Sequence, residues 1–393
     1  MTGLPDASSW TLDRNVAYLN HGGFGAAPAS VLAAQQGWRD ALERNPTGFL
    51  VRQLPDLLTG VRAKLAAFLG ADPAGLVFTD NATAGMQTII AQLKLGPGDE
   101  VVTTDHAYVP VLTQLRKVAE ATGAKVKVAH VPVPAASRSA VADAIMSEVS
   151  GLTKFVVVDH VASCSGMVFP VDLIVAQCRP RGIGVVIDGA HAPGLVPVDL
   201  DGLGADFWVG NLHKWLCAPK VTAVLHAAAQ WRDGLRPLVA SHRFDDGYQA
   251  AFDWTGTHDP SPLLAATAAL EFFEQAGWPA VWEHNNDLAE RGAGLVARQI
   301  GTAVAGNAGD GLTAAMRLIQ LPEPLGEFDA REIERRLEDE YKVVVPITYH
   351  GGWQWLRVSA QLYNTISDYE RLAAALIKLG IAVAARLFPA DAT

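Results

Sequence analysis

Apolar residues run through this chain in two rhythms. From about residue 60 to 230, short β-branched runs alternate with stretches whose apolar positions recur every three or four residues. The runs at 76–79, 100–104, 125–131, 155–159, 184–188, 207–210 and 221–226 read as strands. Several are almost continuously apolar, as in Val185-Val186-Ile187, which suits strands covered on both faces. Segments 84–94 and 109–122 read as helices, the first stopped by Gly96-Pro97-Gly98-Asp99. This alternation predicts an α/β layer architecture around a mostly parallel sheet of the seven-stranded type.

After Pro262 the pattern changes. A long helical stretch, 263–300, is interrupted near Gly277-Trp278-Pro279, and strands at 312–321, 343–347 and 355–359 follow with helices at 329–340 and 368–388. The expected organisation is an opening segment 1–15, a large α/β domain 16–265 and a smaller C-terminal α+β domain 266–393. Trp10, Tyr18 and Leu19 are expected to pack back across both domains.

Composition narrows the function. Of 393 residues, 50% are hydrophobic and 18% charged, enough apolar material for large cores. The formal net charge is −10 and no Lys- or Arg-rich run occurs, which argues against nucleic-acid binding as the main purpose. Cys164, Cys178 and Cys217 are too few and scattered for a disulfide framework or a structural zinc site, and no metal is expected. The first 15 residues lack a basic segment followed by an apolar one, and no window of ~18 uninterrupted apolar residues exists. The expectation is a cytoplasmic protein without a membrane span. A P-loop, a dinucleotide fingerprint, zincin histidines and a serine nucleophile elbow are missing from the sequence.

What remains is a set of polar residues at the carboxyl ends of expected strands, the edge where open α/β sheets bind ligands. Asp188 ends Val185-Val186-Ile187 and is either a turn cap or a carboxylate that needs a cationic partner. Lys214, in Gly210-Asn211-Leu212-His213-Lys214-Trp215, is either a snorkelling side chain or an amine whose burial makes it nucleophilic. Asp80-Asn81-Ala82-Thr83 opens a helix, as a plain cap or as an anion site. Together they match a cofactor with a phosphate (Thr83), a basic ring nitrogen (Asp188) and an aldehyde (Lys214), and pyridoxal 5′-phosphate has all three.

With Tyr18-Leu19-Asn20-His21-Gly22-Gly23-Phe24-Gly25 and Asp188-Gly189-Ala190-His191-Ala192-Pro193-Gly194 added, nearly the whole chain resembles the fold-type I pyridoxal-phosphate enzymes of the class V aminotransferase group, most of all the isopenicillin N epimerase branch. The resemblance implies Lys214 as the Schiff-base lysine and Asp188 as partner of the pyridine nitrogen. It implies His191 and Ser163 near the phenolic oxygen, and Ala82, Thr83, Asn211 and His213 around the phosphate. Thr257 would reach the phosphate of a second subunit in a homodimer. Tyr108 would stack on the ring, with His106 as the weaker candidate. Arg357 would clamp the substrate α-carboxylate, a task that suits a planar fork, with Asn20 and His21 at the substrate side.

The implied chemistry is removal of the Cα proton of an amino acid through a Lys214 aldimine and a quinonoid intermediate. Reprotonation from the other face makes an epimerase and needs a second acid, for which His21, Tyr108 and His258 are candidates. Loss of a sulfur group from Cβ makes a C–S lyase, and proton return to the cofactor makes an aminotransferase. A non-catalytic cofactor-binding protein is a further possibility. Desulfurase chemistry through a protein persulfide is disfavoured, because no cysteine follows Cys217. Arg39, Arg52, His242 and Arg243 are either surface charges or readers of a distal carboxylate.

Overall fold

The computed structural model describes residues 3–306, 311–322 and 329–382. Its strands in chain order are β1 (Ala17–Tyr18), β2 (Leu76–Thr79), β3 (Glu100–Thr104), β4 (Lys125–Ala129), β5 (Thr153–Asp159), β6 (Gly184–Asp188), β7 (Phe207–Asn211), β8 (Ala223–Ala227), β9 (Met316–Gln320), β10 (Val343–Val344), β11 (Ile347–His350) and β12 (Trp353–Ser359). Seven of them form one sheet in the order β2-β8-β7-β6-β5-β3-β4. Strand β8 runs antiparallel to both neighbours, and the other pairings in the sheet are parallel. The architecture is therefore α/β with a mostly parallel central sheet.

The continuous apolar runs follow from burial on two sides. Phe155, Val157, Val186 and Val209 pack with Met86, Val111 and Leu115 of the helices Ala82–Ile90 and Val109–Thr122. Val156, Val158, Val185 and Ile187 face the opposite way, into a core with Leu65, Leu69 and Ile174. Because side chains alternate along a strand, Asp159, Asp188 and Asn211 leave the sheet on the same face as Val157, Val186 and Val209. The polar strand ends thus emerge beside the start of the helix Ala82–Ile90.

Strands β11, β12 and β9 form an antiparallel sheet, with Leu356, Val358 and Ile319 packed with Val296, Leu372 and Leu376 of the helices Trp278–Ile300 and Ile366–Lys378. Pairing of β1 with β10 (Ala17 with Val343) ties the start of the chain to this region. Trp10 packs edge-on against Phe272 and Tyr363, and its indole N–H donates to the Ala26 carbonyl at 3.1 Å. The division into domains at residues 15 and 265 remains a proposal.

Several boundaries shifted for local reasons. The stretch 343–347 is two strands, because Pro346 between them has no N–H to give a ladder. The stretch 263–300 resolves into Ser261–Leu264, Ala266–Ala276 and Trp278–Ile300, broken at Gly277 with φ 80°. Helices Ala29–Arg44 and Leu54–Leu69 were not anticipated. The end of the expected helix 368–388 lies outside the described residues. Among the described residues no helix is long and apolar enough to cross a membrane.

Candidate active site

Three adjacent strands deliver polar residues to one face at their carboxyl ends: Asn211 from β7, Asp188 from β6 and Asp159 from β5. Asp188 is buried and accepts a hydrogen bond from the Ala190 N–H at 3.0 Å. Burial raises its carboxyl above the usual range, opposed by that N–H and by Lys214. Asp159 is the residue that sequence reasoning passed over. The signal was present, since Val156-Val157-Val158-Asp159 repeats the pattern of Val185-Val186-Ile187-Asp188.

Lys214 sits in the turn that follows β7. Backbone passes so close to this turn that two glycines are required. A Cβ on Gly25 (φ +68°) would lie 2.0 Å from the His213 carbonyl oxygen, and one on Gly194 (φ +85°) would lie 2.5 Å from that of Trp215. The glycine motifs noted in the sequence therefore shape the lysine turn. Burial first, then the Arg357 charge, lowers the Lys214 amine from 10.5 to about 8, with Asp188 pulling the other way. His191 Nε2 stands 3.1 Å from Lys214 Nζ, and the Trp215 indole N–H reaches His191 Nδ1 at 3.3 Å. With Nδ1 accepting, the neutral imidazole carries its proton on Nε2, placed to donate to the lysine nitrogen whenever that is the free amine. Burial holds His191 well below its ordinary value, which keeps it neutral.

At the helix Ala82–Ile90 the first-turn N–H groups have no acceptor within the helix. Asn211 Oδ1 takes that of Ala82 at 2.8 Å, and Asn81 Oδ1 takes that of Ala84 at 2.9 Å. Thr83, half-buried, opens that first turn, the kind of helix start that can receive an anion. Asn211 therefore caps the helix in this structure. His213 is buried and neutral, its value lowered to about 4 mainly by desolvation, with Nδ1 3.0 Å from the Thr222 carbonyl oxygen.

Arg357, from β12, is buried and reaches across to the large sheet. Its guanidinium donates to the Ser163 carbonyl and, at 3.1 Å, to Asn20 Oδ1, and its Nε is buried without a partner. Ser163 and Asn20 thus aim the fork. His21 is fully buried against Trp215, its Nδ1 2.8 Å from the Tyr363 hydroxyl and its Nε2 3.1 Å from the Lys214 carbonyl. Burial lowers it to about 3, so at neutral pH it is the neutral imidazole and not an imidazolium acid.

Tyr108 caps the helix Val109–Thr122 and is 43% exposed. His106 is buried, with its nitrogens on Ser165 Oγ and the Val131 carbonyl, both at 2.8 Å. With Cys164 and His350 it forms a His–Cys–His cluster whose possible ligand atoms lie within 4.8 Å of one another; those hydrogen bonds make it a polar core contact. Thr257 and His258 are exposed on a loop after Gly256. Arg39 and Arg243 pair with Asp259 and Asp246 at 2.9 and 3.1 Å, the role of surface charges.

Residues 18–372 match the aminotransferase class-V family. The chain belongs to that family. Two isopenicillin N epimerases align over almost the full length. That of Streptomyces clavuligerus is 29% identical over 93% of this chain and 95% of its own, and that of Amycolatopsis lactamdurans 32% over 94% and 96%. A putative L-cysteine desulfhydrase of Oryza sativa subsp. japonica is 30% identical, covering 93% of this chain and 84% of its own. Among solved structures, the cystine C–S lyase C-DES superposes with a TM-score of 0.81 at 20% identity, over 94% of this chain and 99% of its own. The fold is that of the fold-type I enzymes.

As a member of this family the protein is a pyridoxal-phosphate enzyme, and its own residues fit the cofactor. A buried amine lowered to about 8, a buried carboxylate one strand away and a helix start with an open threonine converge on one sheet edge. The unpartnered Nε of Arg357 adds a donor for a carboxylate.

Proposed function

We propose that the protein abstracts the α-proton of an amino acid and returns it from the other side, as an amino-acid epimerase of the isopenicillin N epimerase type in secondary metabolism. The observation that carries the shared first half of this reading is the Lys214 amine, buried, lowered to about 8 by burial and the Arg357 charge, with His191 Nε2 3.1 Å away. Pyridoxal phosphate bound at Lys214 supplies an electron sink for the pair left at Cα when the proton departs. Arg357 holds the α-carboxylate through a bidentate fork, which orients the Cα–H bond toward Lys214. Lys214, as free amine, takes the proton at Nζ, and His191 keeps that nitrogen aligned through its Nε2–H. Asp188 stabilises a positive ring nitrogen. Thr83 and His213 anchor the phosphate, and Ser163 and Asn20 fix the guanidinium. Inversion requires a second acid. Of His21, His258 and Tyr108, the first is buried and neutral, which leaves His258 and Tyr108, both exposed, as the candidates for that acid.

A second reading has an observation of its own. With His21 withdrawn beneath the Lys214 carbonyl, one amine can serve both as base and as acid, and that suffices for β-elimination. On this reading the enzyme is a C–S lyase that splits a cysteine S-conjugate into thiol, ammonia and pyruvate. We also propose a homodimer in which Thr257 reaches the partner's phosphate site. It is supported by Val221, Leu238 and Val239, which are more than half exposed and line a cavity of about 530 Å³ with His258.

Incubation in deuterium oxide with isopenicillin N and with L-cysteine thioether conjugates separates the readings. Inversion with deuterium at Cα and no keto acid is expected of the epimerase. Pyruvate release assigns the lyase. Absence of Cα exchange with every amino acid overturns both. Borohydride trapping should attach the cofactor to Lys214 alone.

A further inference from the structure

The register of β5 and β6 sets Asp159 directly beside Asp188. Side chains of register partners leave a parallel sheet on the same face, and the strands are about 4.8 Å apart. Two carboxylates therefore lie side by side on one face, 3% and 6% exposed. Asp188 is the better compensated: Asp159 has only a hydrogen bond from its own backbone N–H. Asp188 has the Ala190 N–H at 3.0 Å and the Lys214 amine. Asp159 faces Asp188 and the Cys164 thiol, itself pushed up to about 12 chiefly by burial and then by the Asp159 charge. From the flanking strand, Asp105 is turned away onto His130 (2.6 Å) and the Val131 N–H (3.0 Å). His160, next in the chain, is neutral and accepts the Trp208 indole N–H at 3.3 Å. Like charges this close in a buried site do not both ionise. Burial raises both carboxyls, that of Asp159 further.

We propose that Asp159 and Asp188 hold one proton between them, and that this proton passes to the pyridine nitrogen when the cofactor is seated on Asp188. The transfer rests on the reading of Asp188 as the ring-nitrogen partner. It balances without a co-reactant: an O–H bond at the pair breaks, an N–H bond forms, the pair goes from one negative charge to two and the ring nitrogen becomes positive. The net charge of the buried edge is unchanged. Asp159 acts through Asp188 as a positioning residue, storing the proton while the site is empty and adding negative charge beside the pyridinium once it is filled.

The first measurement is thermal unfolding of the cofactor-free protein against pH. Carboxyls raised above their ordinary value of about 4 make the folded state the better proton binder, so their contribution to stability falls as pH rises above about 4. Asp159→Asn removes that cost. At about pH 8 the variant should melt about 2 °C or more above the parent, and Asp188→Asn should do the same. The double variant should gain no more than either single one, and all differences should close near pH 4. A purely structural Asp159 predicts the reverse, lower melting at both pH values. The second measurement is proton uptake on loading pyridoxal phosphate in weak buffer near pH 8, where Asp159→Asn should take up about one proton more than the parent. Lower melting of Asp159→Asn at that pH overturns the shared proton, and equal uptake overturns the transfer. Full cofactor affinity in Asp188→Asn would remove the reading beneath the transfer, while the melting comparison still decides the shared proton.

Discussion

The state of the Lys214 amine can be tested before any substrate is known. Its fall from 10.5 to about 8 corresponds to roughly 3 kcal/mol against the charged form. At about pH 7.5 an amine of this kind is free in about a quarter of molecules, against about one in a thousand for an ordinary lysine. That is a gain of about two hundredfold in nucleophile. The causes have opposite signs, so variants should move the midpoint in opposite directions. Arg357→Met removes a neighbouring positive charge and should raise it; Asp188→Asn removes a negative one and should lower it. The assay is competitive acetylation of cofactor-free protein across pH, with the Lys214 peptide quantified by mass spectrometry against a surface lysine such as Lys64. A Lys214 midpoint near that of Lys64 would falsify the burial argument. Shifts of the same sign in the two variants would contradict the electrostatic one.

Other outcomes follow from single contacts. Arg357→Lys keeps the charge but loses the fork, so KM for the amino acid should rise about 10- to 100-fold with cofactor retention unchanged; equal KM values would remove Arg357 from the substrate. Gly25→Ala places a Cβ against the His213 carbonyl at positive φ and should cost about 2 kcal/mol or more of stability, read by urea unfolding. Asn211→Ala removes the acceptor for the Ala82 N–H and should cost about 1 kcal/mol together with weaker cofactor binding. An unchanged dissociation constant for the cofactor would confine Asn211 to helix capping.

Local pattern was enough to place the strands of the central sheet and the residues that close them. Asp188 and Lys214 were legible because a charge at the end of an apolar run, or in a weakly charged stretch, conflicts with burial unless chemistry resolves it. The same logic reached Thr83 through its place at a helix start. Boundaries failed where one residue overrode the pattern, as at Pro346.

Tertiary structure decided what spacing along the chain does not contain. The lowered value of Lys214 depends on burial and on Arg357, which arrives from a strand more than a hundred residues later, and its nitrogen is set 3.1 Å from His191 from another segment. His21 looked available as an acid in its motif, yet packing places it beneath the lysine backbone, where burial keeps the imidazole neutral. The pattern marked Asp159 as a strand-end carboxylate, but only strand register, which a linear reading does not show, set it beside Asp188. Period and composition report which side of an element is buried. They do not report which distant group shares that burial, and the acid–base state of a buried residue is set by that neighbour.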